Sequence, residues 1–369
     1  MTRSVPSTPP PALSPSLRTL IGLAAVVVLL AGVSLAREIV GPLALAIVLV
    51  VICEPLRGPL ERRGWPRWTG TTAVIVVAYL VLVAMGALLW LAGRQFAQLV
   101  ADFADELRSS GEGFLAWLQE VGLDQEASSA VGSVLDPETL VGLVSKLGGT
   151  VLGVATALFF VFAYIIFMAA DAARYREAGR VFGAAKAPVL ARIRHLNSGV
   201  RRYYVVNASF GAVVAVIDGL ALWWLGVPAP LVWAILAFVT NFVPNIGFIL
   251  GLIPPAVLAF VVGGWPLLLA VIAVYCVVNV VLQVLVQPKF VSDAVDLSLT
   301  LSFFSVIFWT FVIGPLGAIL SIPLTLFVRA LVLEGDPGAH WLRWLSGDRT
   351  AVPPPDAAAT APGGHRRLL

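Results

Sequence analysis

The chain alternates long apolar runs with short polar segments. Six of the runs are uninterrupted and are 17 to 25 residues long, and they cover residues 17–36, 39–55, 69–93, 147–170, 203–225 and 265–287. A helix needs about 20 apolar residues to cross a hydrocarbon core about 30 Å thick. Because the apolar positions are continuous rather than alternating, helices are favoured over strands. The pattern predicts an all-α, polytopic helical membrane protein with about eight membrane segments.

Two further apolar runs, residues 230–263 and 297–333, are interrupted by polar and helix-breaking residues. In the first run, the leg before the interruption would rise only about 20 Å as a helix, which is too short to cross a bilayer. Proline lacks a backbone donor and glycine is conformationally permissive, so each run is predicted to open into two shorter helices. The interrupting residues are Asn241, Pro244, Asn245, Gly247 and Pro254 in the first run and Gly314, Gly317 and Pro323 in the second.

Opened backbone inside a membrane is tolerated only where it is buried in protein or lines a water-filled cavity. Both interrupted runs are therefore predicted to be re-entrant helical hairpins whose breaks mark a transport site. The alternative is a kinked pair of helices that serves packing alone. Proline inside a helix costs about 3 kcal/mol and glycine about 1 kcal/mol. Alanine at both Pro244 and Gly247 is therefore expected to preserve folding while transport falls.

Charge is distributed unevenly between the apolar runs. Residues 56–68 carry four arginines and one acid, and residues 171–202 carry eight basic residues and two acids, whereas residues 94–146 carry nine acids and three basic residues. Short basic loops remain in the cytoplasm. This rule places both termini inside and residues 94–146 outside. The two interrupted runs then enter from opposite faces, which is the inverted-repeat arrangement of secondary transporters.

The same pattern divides the chain into five parts. These are a disordered N-terminal tail (1–16), three N-terminal membrane spans (17–93), an extracytoplasmic acidic helical insert (94–146), a C-terminal membrane domain (147–333) and a disordered C-terminal tail (334–369). The two tails are rich in proline and small residues, which disfavour a packed core. Within the C-terminal domain, the basic cytoplasmic segment 171–202 has an apolar face and is predicted to lie along the membrane surface.

Composition supports a membrane protein and argues against other classes. The chain is 59% hydrophobic and 12% charged, whereas average soluble domains are about 25% charged. Its three histidines lie outside the apolar runs without metal-ligand spacing, so neither a metal nor another cofactor is expected. No H-E-x-x-H, G-x-S-x-G or G-x-x-x-x-G-K-[ST] motif occurs, so neither an intramembrane enzyme nor an ATPase is expected. The expected partners are the lipid bilayer and a small polar solute or cation, with no nucleic acid.

Polar side chains inside the apolar runs are the candidates for transport chemistry, because amides and carboxyls in hydrocarbon are costly and usually face the bundle interior. Asn279, Gln283 and Gln287 are spaced four apart and share one helical face. Asn207 and Asp218 are eleven apart and also share a face. The functional interpretation is a polar pathway that meets the opened hairpins. The alternative is hydrogen bonding that only holds helices together. The candidates for ion or proton coupling are Asp218, Glu54 and Asn207.

Several stretches resemble the autoinducer-2 exporter family of permeases. The most specific are VPNIGFILGLIPP at residues 243–255, QPKFVSDAVDLS at 287–298 and GPLGAILSIPL at 314–324. The chain departs from the family pattern at Ser298, where proline is common, at Asn207, where glutamine is commoner, and at Asp218, which the pattern lacks. The resemblance covers most of the chain, from the first span to about residue 333. It implies a secondary permease that is a homo-oligomer. Members are linked to export of a quorum-sensing furanone-derived signal, and others to sodium/proton antiport.

Three functions follow from the pattern and the resemblance. The first is a secondary transporter that moves a small polar solute, by resemblance a signal such as autoinducer-2. The second is a sodium (cation)/proton antiporter, which Asp218, Glu54 and the acidic insert favour; in it Asp218 would carry the proton. The third is a membrane scaffold that transports nothing, for which two interrupted hairpins would be a needless cost.

Overall fold

The computed structural model describes residues 14–106, 108–109, 142, 151–244, 246–287, 297–334 and 339–347. In these ranges the regular structure is helical and contains no strand, which confirms the all-α class. The helices are α1 (Pro15–Leu35), α2 (Arg37–Cys53), α3 (Arg57–Arg62), α4 (Arg67–Asp102), α5 (Val151–Val181), α6 (Gly183–Trp224), α7 (Pro230–Thr240), α8 (Gly247–Asn279), α9 (Leu299–Ile313), α10 (Pro315–Val332) and α11 (His340–Leu345). A short 3₁₀ turn, Glu54–Leu56, joins α2 to α3, and a π-helical segment, Val280–Val286, continues α8.

Five helical stretches in the described ranges are long and apolar enough to cross a membrane. They are Arg37–Arg62, Arg67–Asp102, Lys186–Trp224, Gly247–Gln283 and Pro315–Val332. Shorter apolar helices accompany them in α1, α5, α7 and α9. The chain is therefore a polytopic helical membrane protein, as predicted. The number of about eight membrane segments remains a prediction.

Two predicted boundaries fall inside continuous helices. α4 has 36 residues and is about 54 Å long at 1.5 Å per residue, so it runs past residue 93 into the start of the predicted acidic insert. Most of that insert lies outside the described residues. α6 has 42 residues and likewise extends well beyond the length of one span.

Residues 171–202 do not form an element of their own, and their placement along the membrane surface stays a prediction. The first part of this segment continues α5 to Val181, and the remainder, from Gly183, is continuous with the apolar half of α6. A stripe of apolar residues occurs equally on a helix that lies flat and on one that projects from a bundle. Local periodicity therefore could not distinguish the two arrangements.

The first interrupted run is broken where predicted. α7 has 11 residues and ends at Thr240, and α8 begins at Gly247. The intervening residues 241–244 and 246 form turns, while Asn245 lies outside the described residues. The second leg ends at Gly264, whose φ of 63° and ψ of −158° kink α8. Residues 230–263 therefore form a pair of helices, which we call the first hairpin.

The two legs of the first hairpin pack very closely against each other. A Cβ on Gly247 would lie 2.0 Å from the carbonyl oxygen of Thr240, and one on Gly251 would lie 2.8 Å from the Thr240 Oγ1. Alanine at position 247 would therefore collide with backbone. This contact argues against the expectation that alanine at both Pro244 and Gly247 preserves folding. A sequence pattern shows where a helix opens but not how closely its legs pack.

The second interrupted run repeats this arrangement. α9 ends at Ile313, Gly314 adopts φ 77° and ψ −158°, and α10 begins with Pro315. A Cβ on Gly317 would lie 1.9 Å from the carbonyl oxygen of Trp309. Pro323 is buried within α10 and does not break it. We call residues 297–333 the second hairpin; its break at Gly314–Pro315 is confirmed.

Packing places the first hairpin at the centre of one apolar cluster. Val232, Trp233 and Ile235 of α7 are buried together with Leu222 of α6 and Ala259 of α8. Partly buried residues of α4 complete this cluster. A separate cluster joins α2, α6 and α10. α6 thus contacts both hairpins, and it carries two of the polar residues singled out from the sequence.

Candidate functional site

Five amide side chains converge at the break of the first hairpin. Asn241, the residue after α7, donates its Nδ2 to the backbone oxygen of Asn207 on α6 over 2.8 Å. Gln283 donates its Nε2 to Asn241 Oδ1 over 2.8 Å and to Asn279 Oδ1 over 2.6 Å. Gln287 donates its Nε2 to Asn207 Oδ1 over 2.7 Å. These bonds join α6, the hairpin break and the end of α8.

We call this set the amide network. Two features predicted separately, the stripe on residues 279–287 and the polar residue Asn207, are one hydrogen-bonded unit. Asn207 and Asn279 are each only 5% exposed. Burial of an amide is tolerated when its hydrogen bonds are made, and here they are made across elements. The network therefore ties the opened end of α7 to both neighbouring helices.

Part of the stripe lies on non-α backbone. Gln283 sits inside the π-helical segment Val280–Val286, and Gln287 follows it. A π-helix is wider than an α-helix and appears mostly as a short segment inside an α-helix, frequently at a functional site. The larger number of residues per turn in this segment rotates its side chains away from the direction that a regular α-helix would give them. In this geometry Gln283 faces the hairpin break while Gln287 faces α6.

A small cavity lies beside the amide network. Its volume for a water-sized sphere is about 10 Å³, close to the least that holds one water molecule. α6, α7, the hairpin break and α8 all contribute to its wall. The lining residues are Val214, Asp218, Ala237, Thr240, Asn241, Phe248, Gly251, Tyr275, Asn279 and Gln283. Three members of the amide network thus line the same cavity as Asp218.

Two titratable side chains line this cavity with no hydrogen-bond partner among the described residues. Both carboxyl oxygens of Asp218 and the hydroxyl of Tyr275 are buried without a bond. Asp218 is 0% exposed and Tyr275 is 1% exposed. No lining residue carries a positive charge. A buried carboxylate without a partner is costly, so this pair stands out chemically from the bonded amides beside it.

The other predicted site residues divide into two groups. Pro244 and Gly247 lie at the break of the first hairpin, next to the network, and Pro254 lies further along α8. The remainder lie elsewhere: Gly314, Gly317 and Pro323 belong to the second hairpin, and Glu54 belongs to the 3₁₀ turn after α2. None of this second group lines the cavity.

The sequence analysis missed Tyr275 and Thr240. Tyr275 extends the stripe of Asn279, Gln283 and Gln287 by one more step of four, so spacing alone could have identified it. Thr240 is the last residue of α7, and its Oγ1 donates to the carbonyl oxygen of Leu236 over 2.8 Å. A threonine in an apolar run carries no signal that distinguishes a cavity wall from a helix interior.

Arg57 was also missed, since the sequence places it in a basic loop. It is 1% exposed, and its Nη2 donates to the backbone oxygen of Ala169 on α5 over 3.0 Å and to Thr71 Oγ1 on α4. Its Cγ would lie 2.6 Å from a Cβ on Gly70. Arg57 therefore fastens three helices at one end of the bundle, apart from the cavity.

A multi-pass helical membrane protein with a polar site at a broken helical hairpin has the architecture of a membrane transporter. The chain belongs to the AI-2E transporter family: the model of that family, described as AI-2E family transporter, matches residues 23–335. It is thus a multi-pass cell membrane protein of a family of permeases that act on small solutes. The family resemblance drawn from the sequence motifs is confirmed.

Named relatives agree with this assignment. The chain is 29% identical over 336 residues to a Haemophilus influenzae protein named "Putative transport protein", covering 90% of this chain and 96% of the relative. It is 26% identical over 332 residues to the AI-2 transport protein TqsA of Escherichia coli, with the same two coverages of 90% and 96%. A Mycobacterium tuberculosis relative, "Putative transport protein MT0215", is 25% identical over 338 residues, covering 87% and 90%.

Proposed function

We propose that this protein is a secondary transporter that moves a small polar solute past the amide network of the first hairpin. The observation that carries the proposal is the set of cross-element bonds made by Asn241 and Gln283. A polar solute must exchange hydrogen bonds with water for hydrogen bonds with protein as it crosses. Five amides provide both donors and acceptors at one place, which suits a neutral solute with several hydroxyl groups.

The cavity must open for such a solute to enter. Its volume of about 10 Å³ is far below the roughly 300 Å³ or more of a small-molecule pocket. We infer a closed conformation in which the amides bond to each other. Opening would separate the end of α7 from α6 and exchange the Asn241–Asn207 and Gln283–Asn241 bonds for bonds to solute. This exchange limits the free-energy difference between the two conformations.

The solute we propose is a furanone-derived signal such as autoinducer-2. The name of the E. coli relative states that it transports AI-2, and a polyhydroxylated solute complements the amide network. Transport would use a gradient and not ATP hydrolysis, because the sequence has no G-x-x-x-x-G-K-[ST] motif. We also propose that the protein is not an enzyme, that it works as a homo-oligomer, and that both termini are cytoplasmic with the hairpins entering from opposite faces.

Counterflow in liposomes tests the proposal. Purified protein is reconstituted, the liposomes are loaded with unlabelled autoinducer-2, and exchange with labelled autoinducer-2 is followed without an ion gradient. We expect exchange by the wild type and its loss in Asn241→Leu. Ser321→Ala, which removes a buried hydroxyl of the second hairpin that donates to the Ala318 carbonyl, is the matched control and should exchange normally. No exchange by the wild type would reject this solute. Normal exchange by Asn241→Leu would reject the pathway.

Orientation is tested separately by thiol labelling. Single cysteines at Ser109 and at Lys186, both exposed, are introduced after replacement of Cys53 and Cys276 by alanine. An impermeant reagent added to intact cells should label position 109 and should label position 186 only after the membrane is opened. The reverse result would invert the proposed topology.

The second candidate function is sodium (cation)/proton antiport. A specific observation favours it: Asp218 is buried beside the amide network with both carboxyl oxygens unbonded among the described residues. If Asp218 carries protons, Asp218→Asn should abolish gradient-driven accumulation and leave exchange without a gradient largely intact. Full gradient-driven transport by this variant would exclude Asp218 as the proton carrier.

A further inference from the structure

We infer that the cavity between α6, α7 and α8 is a binding site for one small monovalent cation, held by Asp218 and Tyr275 and sharing Asn241 and Asn279 with the solute path. The role of the cation in transport rests on the proposed function, whereas its binding can be measured without transport. Asp218 departs from the family pattern, and the names of the relatives assign no role to either residue.

The first argument is the balance of acceptors and donors around the cavity. Both N–H groups of Gln283 are engaged by Asn241 and Asn279, and the Thr240 hydroxyl donates to a backbone carbonyl. The oxygens of Thr240, Asn241 and Asn279 each keep a lone pair, since an amide or hydroxyl oxygen has two acceptor positions. Together with the Asp218 carboxyl and the Tyr275 hydroxyl, the wall is rich in free oxygen acceptors.

The second argument is electrostatic. α7 ends at Thr240, so the negative end of its helix dipole points at the cavity that Thr240 and Asn241 line. Asp218 adds one formal negative charge, and none of the lining residues is basic. Half-helix C-termini and opened backbone bind Na⁺ or H⁺ in other broken-helix transporters. The same field disfavours an anion here.

Charge and size then restrict the ligand. One carboxylate balances one positive charge, and the described residues contain no group of three or more His, Cys, Asp or Glu side chains that could hold a metal ion. Divalent cations usually need more charged oxygen ligands or a bound phosphate. A volume of about 10 Å³ admits a single small ion or one water molecule. Sodium and a proton share this chemistry, and the measurement separates them.

The site is coupled to the solute path by residues that belong to both. Asn241 and Asn279 line the cavity and also accept from Gln283. A cation drawn to Asp218 would attract both amide oxygens and hold the end of α7 against α8. Binding of the ion would therefore favour the closed hairpin. Linkage requires that solute and cation affect each other's affinity reciprocally.

Thermal unfolding of the purified full chain tests the site without any solute. The melting temperature is followed during a NaCl titration at constant ionic strength, with N-methylglucamine chloride as the replacement salt, and separately as a function of pH. A ligand that binds only the folded state stabilises it by RT ln(1 + [L]/Kd), so the melting temperature rises with the logarithm of ligand concentration above Kd. We expect sodium to raise the melting temperature in this way, and Asp218→Asn to abolish the rise. Tyr275→Phe should weaken the apparent Kd about tenfold or more, since it removes one ligand to a charged group.

Tyr203→Phe is the matched control for loss of a buried tyrosine hydroxyl. Tyr203 lies on α6 and is buried, but it does not line the cavity, so the sodium response should be unchanged. A pH-dependent stabilisation that requires Asp218, without a sodium response, would identify the cation as a proton; Tyr275 is the other titratable group facing the cavity. If the wild type responds neither to sodium nor to pH, the inference is overturned.

A second measurement avoids the risk that Asp218→Asn does not fold. Carbodiimide labelling of the wild type, read by mass spectrometry of the peptide that contains Asp218, reports whether this carboxyl is occupied. We expect sodium to slow the labelling and N-methylglucamine to have no effect. A labelling rate that depends on neither sodium nor pH would contradict the proposed cation site. Sodium binding with no autoinducer-2 exchange would retain this site and reject the proposed solute, so the two proposals can fail independently.

Discussion

The two hairpins share a close approach of their legs but place different chemistry at their breaks. Each has a glycine at which a Cβ would collide with backbone: Gly247 with the Thr240 carbonyl and Gly317 with the Trp309 carbonyl. The first break carries Asn241 and faces the amide network. The second break, at Gly314–Pro315, packs in an apolar cluster with α1 and α2. Close helix packing therefore explains the glycines in both hairpins, whereas the amide network lies only at the break of the first.

The second hairpin has a chain of side-chain hydrogen bonds within it, while α6 reaches its backbone through the Tyr204 hydroxyl, which donates to the Ile319 carbonyl over 3.0 Å. Trp309 donates its Nε1 to Thr325 Oγ1 over 3.0 Å, and Thr325 donates to Ser305 over 2.8 Å. Ser305 in turn donates to the Leu301 carbonyl over 2.6 Å. This chain fastens α9 to α10. A network within one hairpin stabilises it, whereas the amide network joins the first hairpin to elements that could move relative to it.

The largest effect is expected from alanine at the two buried glycines. Gly247→Ala and Gly317→Ala each push a Cβ into a backbone carbonyl and should lower the free energy of unfolding by about 1–3 kcal/mol or more. Thermal unfolding and size-exclusion profiles of the purified variants measure this. Gly86→Ala is the control: no atom lies within 4 Å of a Cβ there, so it should be neutral or stabilising by up to about 1 kcal/mol. Normal stability of Gly247→Ala would contradict the close approach of the two legs.

A smaller effect separates the two hairpins by function. Gln283→Leu leaves the oxygens of Asn241 and Asn279 without their donor, so it should cost about 1–3 kcal/mol of stability and abolish autoinducer-2 counterflow. Thr325→Val removes the centre of the bonded chain in the second hairpin. It should have a similar cost in stability with counterflow retained. Equal loss of transport in both variants would show that the amides serve packing alone.

The next comparison uses two glycines on one face of α6. A Cβ on Gly211 would lie 2.8 Å from Asn241 Nδ2, and a Cβ on Gly219 would lie 2.9 Å from the Ala234 Cβ. Gly211→Ala displaces a side chain of the network, whereas Gly219→Ala presses apolar surfaces together. Both variants should lose about 1 kcal/mol of stability or less. Only Gly211→Ala should slow counterflow. Equal counterflow rates in the two variants would show that Asn241 does not lie on the solute path.

The smallest effect on transport is expected from one tryptophan in each hairpin. Trp233 donates its Nε1 to the Pro228 carbonyl over 2.9 Å in the first hairpin, as Trp309 does to Thr325 in the second. Trp233→Phe and Trp309→Phe each remove one such bond and should each cost about 1 kcal/mol, with transport unchanged. Differential scanning fluorimetry with counterflow measures both. A transport defect confined to Trp233→Phe would mean that α7 must keep its exact register for transport.

Local pattern predicted much of the site before the fold was known. Asn279, Gln283 and Gln287 were identified because a period near four is set by the helix itself. The breaks near Pro244 and Gly314 were identified because proline and glycine act on their own backbone. The same reasoning did not reveal the close contact between Gly247 and the Thr240 carbonyl. Steric contact between two legs depends on where distant residues come to lie.

The sequence by itself determined that the chain is a helical membrane protein with two interrupted apolar runs and an amide stripe, since hydropathy, helix periodicity and glycine and proline geometry are local properties. Only the tertiary structure decided that Asn207 joins the stripe, that Tyr275 faces Asp218 across one cavity, and that the second hairpin lies apart from both. Periodicity shows which residues share a helix face. What that face meets depends on the packing of helices far apart in the chain.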